Sequence, residues 1–224
     1  MEKRRYKENR RMKKIICLFV LILSISLIFA HQPRIVYEDD LSVPLEIQNP
    51  EISQAFYGEL KGSAEYYSIS SDEDFHLYLG LLSPAIENAR TDFKAEISFD
   101  NETIVLEKNE EWEVFYEEFA GDDYYDGPEI DLNASSGEYI IKIYNSDNQG
   151  KYVLAVGRIE SFPLGETIKT YYNLPRLKIY FEKSPLTAYF NYLGLGLLVF
   201  LIVLTGVIIG IYFLIKKLRK KKKR

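Results

Sequence analysis

The sequence has few of the residue types on which most enzymatic chemistry depends. Its 224 residues include one cysteine, Cys17, and two histidines, His31 and His76. Because Cys17 lies in an N-terminal apolar run, the rest of the chain has no disulfide, thiol nucleophile or cysteine-ligated metal. A Ser-His-Asp or histidine–metal site needs converging groups, and no pattern marks one. We therefore expect no enzymatic activity and no cofactor, apart from the candidate calcium ion considered below.

Basic side chains are also scarce in the middle of the chain. Of the 28 Lys and Arg residues, eight lie in residues 1–30 and eight in residues 216–224. Residues 31–215 keep 12 basic side chains against 31 Asp and Glu, a net charge of −19. Such an acidic region argues against DNA or RNA as a partner, since nucleic-acid sites need a basic surface. Basic ends around an acidic middle fit the positive-inside rule.

One apolar run near the C-terminus, residues 193–215, carries no charge. At ~1.5 Å per residue, a helix of this length reaches roughly 34 Å, enough to cross a hydrocarbon core of about 30 Å. We predict one transmembrane helix over residues 185–215, with Ser184 as N-cap and Pro185 in the first turn. Cations cannot easily cross the lipid, so the preceding domain is expected outside the cell membrane. The cytoplasmic anchor then consists of Lys216, Lys217, Arg219, Lys220, Lys221, Lys222, Lys223 and Arg224.

A second apolar run, residues 15–30, follows Lys13 and Lys14. This layout is typical of an export signal with cleavage after Ala30. An uncleaved N-terminal anchor is the alternative, and the basic flank fits either. Translation begins at Met1 or at Met12, since Met12 also precedes an ordinary signal sequence.

From residue 51 onward, apolar residues recur at every second position. Phe75, Leu77, Leu79 and Leu81 are typical, and similar runs begin at Phe93, Trp112, Tyr139 and Tyr152. Alternation among β-branched and aromatic residues predicts half-buried strands, and turn residues, including an acidic turn at 121–128, separate eight or nine of them. With no long helical pattern between them, the fold is expected to be mainly β. We predict an antiparallel, jelly-roll-like β-sandwich over residues 51–158, after an extended lead-in at residues 31–50.

Several of these runs resemble the bacterial and archaeal pre-peptidase C-terminal domain. The clearest motif is a Gly-x-Tyr that opens each of the last two strands, Gly137-Glu138-Tyr139 and Gly150-Lys151-Tyr152. Glycine accepts the turn conformation, and the tyrosine begins the core face. The resemblance covers residues 53–158, with Glu65 where the family usually has Asp. It implies a non-catalytic sandwich, here without the peptidase to which such domains are attached.

The spacing becomes helical between Glu160 and Phe181. Pro175 would lie in the first turn of this helix. Residues 167–190 carry a net charge of +3, whereas residues 31–166 carry −22. We predict a short amphipathic helix on the outer leaflet, within a juxtamembrane segment at residues 159–184, with its apolar side chains facing lipid or the sandwich. The residues at helical spacing are Leu174, Leu177, Tyr180 and Phe181.

An acidic stretch supplies the one candidate metal site. Asp122, Asp123, Asp126 and Glu129 could place carboxylate oxygens around a hard cation such as Ca²⁺. Their spacing does not match the EF-hand loop. The alternative is a solvated acidic loop without an ion.

Two further patterns concern modification and helix packing. Asn101 and Asn133 begin N-glycosylation sequons on predicted turns. Gly206 and Gly210 form a small-xxx-small pair in the apolar run, which favours a homodimer or a partner subunit in a membrane complex. Glycine is common in membrane helices, so the pair could also have no packing role.

Aromatic residues are abundant, with 18 Tyr and 13 Phe. Outward ones could stack on sugars or pack a protein partner, and cross-strand pairing is the alternative. We therefore favour a cell-surface binding or accessory module that recognises an unknown protein or glycan. A membrane-complex subunit and an all-carboxylate hydrolase remain as alternatives. The aromatics predicted to face outward include Tyr66, Tyr78, Phe115, Tyr124 and Tyr125.

Overall fold

The computed structural model describes residues 31–36, 43–108, 110–117 and 121–222. The predicted export signal or anchor at residues 1–30, and Lys223 and Arg224, lie outside the described residues. The chain divides into two compact units, one that ends at Leu193 and one that contains the helix from Gly194 onward. Each unit is described by itself.

Eleven strands precede two helices in the described part of the chain. The strands are β1 (Gln32–Ile35), β2 (Leu45–Glu46), β3 (Gln54–Lys61), β4 (Glu65–Ser71), β5 (Phe75–Pro84), β6 (Lys94–Phe99), β7 (Glu102–Leu106), β8 (Glu113–Glu117), β9 (Asp122–Ala134), β10 (Gly137–Tyr144) and β11 (Gln149–Val156). The helices are α1 (Leu164–Tyr180) and α2 (Tyr192–Lys222), with a short 3₁₀ helix, Pro185–Tyr189, between them.

The strands form two sheets of a β-sandwich. The six-stranded sheet has the order β1-β3-β11-β5-β9-β8, and the five-stranded sheet has the order β2-β4-β10-β6-β7. Most neighbours are antiparallel, but β1 runs parallel to β3 and β2 runs parallel to β4. Strands β1 and β2, each at one edge of its sheet, come from the predicted lead-in at residues 31–50, where they are too short to give a period-two signal. The predicted sandwich is confirmed, although its sheets are mixed rather than purely antiparallel.

The core between the sheets contains the side chains that the alternation predicted. Leu77, Leu79 and Leu81 of β5 lie opposite Ile141 and Ile143 of β10, and all five are almost completely buried. Burying a side chain of this size stabilises the fold by about 1.5–3 kcal/mol relative to leaving it in water. A core of this kind accounts for a sandwich that has no disulfide in the described residues.

The two Gly-x-Tyr motifs have the predicted conformation. Gly137 and Gly150 have φ angles of +149° and +109°, which side chains other than glycine rarely adopt. Tyr139 and Tyr152, two residues later, are buried in the core. The motif therefore turns the chain and then places an aromatic ring between the sheets.

A chain of three polar side chains crosses the same core. The hydroxyl oxygens of Tyr67 and Tyr152 lie 2.6 Å apart, and the Tyr152 hydroxyl donates a hydrogen bond to the carboxylate of Glu65. All three side chains are buried. Burial raises the pKa of Glu65 above its ordinary value because the charged form loses its hydration. Glu65 is thus a core residue that accepts a hydrogen bond from tyrosine.

Strand β9 takes the place of the acidic turn predicted at residues 121–128. It pairs with β8 and β5, and a Cβ atom on Gly127 would lie 2.4 Å from Cη2 of Trp112. Glycine is therefore needed where the indole ring crosses the strand. Tyr124, predicted to face outward, is buried. The prediction of a turn was wrong because an acidic composition was taken as a turn signal, although pairing on both sides holds the segment extended.

Strand β8 lies at the edge of its sheet. Alternation placed Trp112, Val114 and Tyr116 on the core face, but only Trp112 is buried. Val114 and Tyr116 are exposed, and β8 has a strand neighbour on one side only in the described part of the sheet. A period of two therefore predicted the strand correctly and its burial incorrectly.

Pro175 was predicted to lie in the first turn of a helix, but it lies in the interior of α1. Proline has no N–H to donate to the carbonyl of Tyr171, four residues earlier. The Tyr189 hydroxyl donates a hydrogen bond to that carbonyl at 3.1 Å. This bond replaces the missing helical bond and ties the 3₁₀ helix to α1.

Helix α1 packs on the outer face of the six-stranded sheet. Leu174, Leu177 and Phe181 are buried against Tyr124 of β9 and Val153 of β11. The residues predicted to face lipid or the sandwich therefore face the sandwich. This second interface explains why β11 is buried on both faces, whereas alternation predicted only one.

A buried ion pair lies within the interface between α1 and the sheet. Lys178 Nζ is 2.8 Å from Asp122 Oδ2, and Lys183 Nζ is 3.0 Å from Asp122 Oδ1. The side chains of Lys178 and Asp122 are 3% and 1% exposed. Two cations compensate one carboxylate that has left water, and removal of one partner from such a pair typically costs about 3–5 kcal/mol.

The C-terminal helix begins later than predicted. Ser184 accepts a hydrogen bond from the Leu186 N–H, so it is an N-cap, but it caps the separate 3₁₀ helix Pro185–Tyr189. Helix α2 starts at Tyr192. Its segment Gly194–Phe213 is, among the described residues, the one helical stretch long and apolar enough to cross a membrane.

Candidate functional site

A groove of about 820 Å³ lies where the edge strands of both sheets meet α1. Strands β1 and β2, the turn before β3 and the first half of α1 form its walls. A concave site with converging polar groups is a candidate for ligand binding. Its polar lining consists of Gln32, Arg34, Glu46, Gln48, Asn49, Gln54, Ser161, Glu166, Lys169 and Asn173.

Arg34 is the centre of a hydrogen-bond network in this groove. Its Nη1 donates to Glu166 Oε2 at 2.6 Å, and its Nε donates to Gln54 Oε1 at 3.2 Å. Its Nη2 donates to the side-chain oxygen of Gln32. Three partners hold the guanidinium in one orientation, so this wall of the groove is preorganised before any ligand arrives.

The partners of Arg34 are held in turn by the backbone. Gln54 Nε2 donates to the carbonyl of Gln48 at 2.9 Å, and Gln32 donates to the carbonyl of Ser161. Burial alone would raise the pKa of Glu166, but hydrogen bonds from Lys169 and Arg34 outweigh it and hold this pKa below its ordinary value. The Glu166 carboxylate is therefore ionised at neutral pH and balances the adjacent positive charges.

The chemistry of the groove suits an extended, polar ligand. Within the described residues, β1 and β2 each have a strand partner on one side only. Edge strands present backbone groups with which an extended peptide can pair, while side-chain groups beside the edge supply specificity. Carboxamides such as Gln48 and Asn49 can both donate and accept hydrogen bonds. The groove therefore offers partners for backbone amides, carbonyls and hydroxyls.

His76 belongs to a charged cluster on the exposed face of β5. Its Nε2 lies 2.6 Å from Asp131 Oδ1, and its Nδ1 lies 3.3 Å from Asn133 Oδ1. Arg158 Nε lies 2.7 Å from the other oxygen of Asp131. Both ring nitrogens of His76 are thus engaged by protein groups, which fits a structural role better than proton transfer to a substrate.

His31 pairs with a serine, but the hydroxyl is enclosed. Its Nδ1 lies 2.7 Å from Ser53 Oγ, and Ser53 is 4% exposed. Burial, and then the positive charge of Arg158, lower the pKa of His31 to about 4. The imidazole is neutral at physiological pH, but no substrate carbonyl could reach the serine oxygen without rearrangement of the fold. The pair therefore joins the residue before β1 to the residue before β3.

The four residues predicted to bind calcium are spread along β9. Asp122 is buried and forms an ion pair with Lys178. Asp126 is exposed, and Lys108 Nζ lies 3.8 Å from its carboxylate. Asp123 is half-buried, and Glu129 accepts a hydrogen bond from the Tyr78 hydroxyl at 3.0 Å. No group of three or more metal-ligating side chains converges among the described residues. Calcium binding remains a prediction, but the strand does not bring the four carboxylates together.

The other predicted sites lie on the surface. Asn101 is exposed in the turn between β6 and β7, while Asn133 is exposed within β9 rather than on a turn. Gly206 and Gly210 are exposed on one face of α2, and no atom lies within 4 Å of a Cβ built on either. Lys216–Lys222 form the end of α2. Glycosylation, helix pairing and the cytoplasmic position of the tail remain predictions.

The outward aromatics mostly have partners within the fold. The Arg158 guanidinium lies 4.0 Å from the centre of the Tyr78 ring. Phe115 stacks on Tyr124 with ring centres 5.4 Å apart, and Tyr125 is half-buried against the core. These contacts favour cross-strand pairing over a sugar-stacking platform.

Sequence reasoning missed both the groove and the buried ion pair. The groove is assembled from residues far apart in the chain, such as Arg34 and Glu166, and no local spacing brings them together. The ion pair had a local signal, because Lys178 lies at helical spacing within the apolar stripe of Leu174, Leu177 and Phe181. A lysine in such a stripe indicates a buried acidic partner.

Comparison with solved structures found similarity to a bacterial domain. No family model and no curated protein matches the chain. The structure is the pre-peptidase C-terminal domain of a collagenase from Bacillus anthracis, at 16% sequence identity and a TM-score of 0.34, over 52% of this chain and 97% of that domain. It is the kind of domain that the Gly-x-Tyr motifs resemble, while the assignment of a β-sandwich rests on the strand order and core described above.

Proposed function

We propose that this chain is a single-pass membrane protein with an extracellular β-sandwich that acts as a non-catalytic binding or accessory module at the cell surface. The groove around Arg34 is its ligand site. The ligand is an extended segment of another surface protein.

Two observations support the membrane anchor and its direction. The segment Gly194–Phe213 of α2 has the length and the apolar composition of a membrane span. The tail after it holds eight Lys or Arg in nine residues, and a cationic segment of this kind stays on the cytoplasmic side. The acidic sandwich then faces the medium.

The observation that carries the binding role is the preorganised wall of the groove. Arg34 is held by Gln32, Gln54 and Glu166, and these are held by the backbone or by further side chains. A site whose polar groups are already oriented loses little conformational entropy when a ligand binds. Charges of both signs beside two edge strands favour a peptide, which carries backbone amides and mixed side chains.

The absence of catalysis is supported by the state of the two histidines. His76 is engaged at both ring nitrogens, and His31 lies against a serine that is enclosed by the fold. General acid–base catalysis requires such a group to reach a substrate proton. Neither histidine lines the groove.

Photo-crosslinking in intact membranes tests the binding role. A photoreactive amino acid replaces Gln48 in the groove, or Glu138 at an exposed position of β10, outside the groove, as a control. We expect a discrete protein adduct at position 48 that is absent at position 138. The added substitution Asn173→Trp, which places a large side chain in the lining from α1, should remove the adduct. Equal labelling at both positions, or no adduct at either, would contradict the proposal.

A subunit of a membrane complex is the second candidate. Gly206 and Gly210 favour it, since they lie one turn apart on an exposed face of α2 and would permit close helix packing. In that case photo-crosslinks should form at Val207 and survive deletion of residues 31–190. Crosslinks that form only at Gln48 would favour the binding module instead.

A further inference from the structure

Helix α1 has a second apolar face, which is exposed, in addition to the one that packs on the sheet. Leu164, Ile168, Tyr172 and Ile179 are 76%, 60%, 67% and 59% exposed. At 100° per residue, these four positions fall within an arc of about 80° on the helix. The buried residues Leu174, Leu177, Lys178 and Phe181 occupy a different arc of about 100°. We call the four exposed residues the outer stripe.

We propose that the outer stripe lies in the headgroup region of the outer leaflet of the membrane in which α2 is anchored. The inference rests on the proposed anchor and goes beyond it, because it assigns a lipid-binding surface to the ectodomain itself. An exposed apolar stripe of this extent is unusual on a fully solvated helix and marks an interaction surface.

The charges beside the outer stripe favour a lipid surface. The exposed charged side chains of α1 are Lys169 and Arg176, and both fall about 40–60° from the edge of the stripe. The one acidic residue of α1, Glu166, is bound to Arg34 and Lys169. Helices that lie in a membrane interface combine an apolar face with flanking basic residues that contact anionic headgroups.

The basic side chains and the aromatic ring of the stripe act together. The Arg176 guanidinium lies 4.6 Å from the centre of the Tyr172 ring, and its Nη2 is 3.2 Å from the Tyr172 hydroxyl oxygen. A tyrosine paired with a cation presents an apolar ring and a polar end, which suits the headgroup level of a bilayer. The rest of the domain repels anionic lipid, since residues 31–166 carry a net charge of −22.

Chain length keeps the outer stripe close to the membrane. Gly194, where the apolar segment of α2 begins, lies only 15 positions after Ile179. Even a fully extended connection of that length reaches no more than about 50 Å. Leu186 and Phe190 in this connection are 80% and 87% exposed and add further apolar surface. A bilayer is therefore the apolar partner always within reach of α1.

Spin labels on the full chain in vesicles test the assignment. With Cys17→Ser as background, single cysteines are placed by Ile168→Cys and Tyr172→Cys in the stripe, and by Glu138→Cys on the sandwich as a control. The vesicles contain phosphatidylcholine and phosphatidylglycerol at about 3:1, to supply anionic headgroups. Accessibility to oxygen and to a water-soluble nickel complex reports depth. We expect the stripe labels to lie about 5–10 Å into the interface and the label at 138 to remain in water.

Two results would overturn the inference. If the labels at 168 and 172 are as accessible to the nickel complex as the label at 138, the outer stripe lies in water. Labels shielded from both reagents would mean that a protein, either a second copy or another subunit, covers it. A further label at Ile208 in α2 separates the two proposals: if this label is not in lipid, the anchor itself fails, whereas a buried Ile208 label with an aqueous stripe rejects only the inference.

A matched pair of substitutions gives the complementary readout. Ile168→Glu should return a label at 172 to water, because it puts a charge in the middle of the stripe. Ile104→Glu, at an exposed isoleucine of β7, should leave that label immersed. Both variants should keep the thermal unfolding midpoint within a few degrees, since both side chains are exposed. An unchanged label depth in Ile168→Glu would contradict the inference.

Discussion

Two carboxylates are buried in the part of the chain that the structure describes, and the fold compensates them in different ways. Asp122 lies between α1 and the six-stranded sheet, where Lys178 and Lys183 bring two positive charges. Glu65 lies in the core between the two sheets, where it accepts a hydrogen bond from the Tyr152 hydroxyl. The first is an ion pair and the second is a hydrogen bond from a neutral group.

The difference shows which interface depends on charge. A hydroxyl can satisfy an acceptor without neutralising it, so burial still raises the pKa of Glu65. At Asp122 the lysines make the buried charge tolerable and couple α1 to the sheet. The main core should therefore tolerate loss of its carboxylate charge, whereas the helix interface should not.

The largest effect is expected from Asp122→Asn. The substitution keeps the shape but removes the charge to which Lys178 is bound, and breaking a buried pair in this way costs about 3–5 kcal/mol. Chemical denaturation of the full chain in detergent, followed by the fluorescence of the single tryptophan, Trp112, measures the loss. Asp126→Asn is the matched control at an exposed position of the same strand and should change the free energy of unfolding by less than about 0.5 kcal/mol. Equal effects of the two substitutions would refute the ion-pair account.

The next effect concerns the apolar contacts around the ion pair. Leu177→Ala should cost about 2–5 kcal/mol, because Leu177 is 3% exposed and its loss leaves a cavity against the sheet. Ile168→Ala, on the outer stripe of the same helix, should cost less than about 1 kcal/mol in detergent. The same denaturation curves give both values. If the two substitutions cost the same, α1 does not pack on the sheet with the face described here.

Glu65→Gln should leave stability unchanged or raise it by on the order of 1 kcal/mol at neutral pH, since the amide still accepts the Tyr152 hydrogen bond but carries no charge. The sign follows from the raised pKa. Glu65 contributes its full stability below its ordinary value of 4.5 and loses it as the pH rises through the folded-state pKa. The advantage of Glu65→Gln should therefore grow as the pH rises above 4.5. Denaturation curves between pH 4 and pH 8 measure it, and a loss of several kcal/mol at pH 7 would mean that the carboxylate is needed as a charge.

The smallest effect is expected from Tyr189→Phe. It removes the hydroxyl that satisfies the Tyr171 carbonyl beside Pro175, and a hydrogen bond of this kind contributes about 0.5–1.5 kcal/mol. Hydrogen exchange of the amides of residues 177–181 should increase while exchange in β10 stays the same. Tyr212→Phe, on α2, is the control and should leave both regions unchanged.

Much of the sandwich could be predicted from local patterns, because alternation and the Gly-x-Tyr turns depend on neighbouring residues. The core positions of β5 and β10 followed directly. Burial on the second face of β11 could not be predicted, because it depends on α1 folding back onto the outer face of the sheet. The start of α2 was also missed, because a proline after a serine marks a helix start without telling how long that helix is.

The candidate site was less predictable than the fold for the same reason. Arg34 and Glu166 are 132 positions apart, and only the assembled edge of the sandwich brings their atoms within 2.6 Å. The acidic stretch at residues 122–129 gave the strongest local signal and suggested a metal site. Its first carboxylate instead binds the lysines, so composition indicated the charge correctly but not its partner.

Labelling with a membrane-impermeant maleimide in intact cells tests the central claim most directly, which is that the sandwich faces the medium and the tail faces the cytoplasm. Single cysteines are introduced by Glu138→Cys and Arg219→Cys in a Cys17→Ser background. We predict that the cysteine at 138 reacts in intact cells and that the cysteine at 219 reacts only after permeabilisation. Labelling at 219 with protection at 138 would contradict the account.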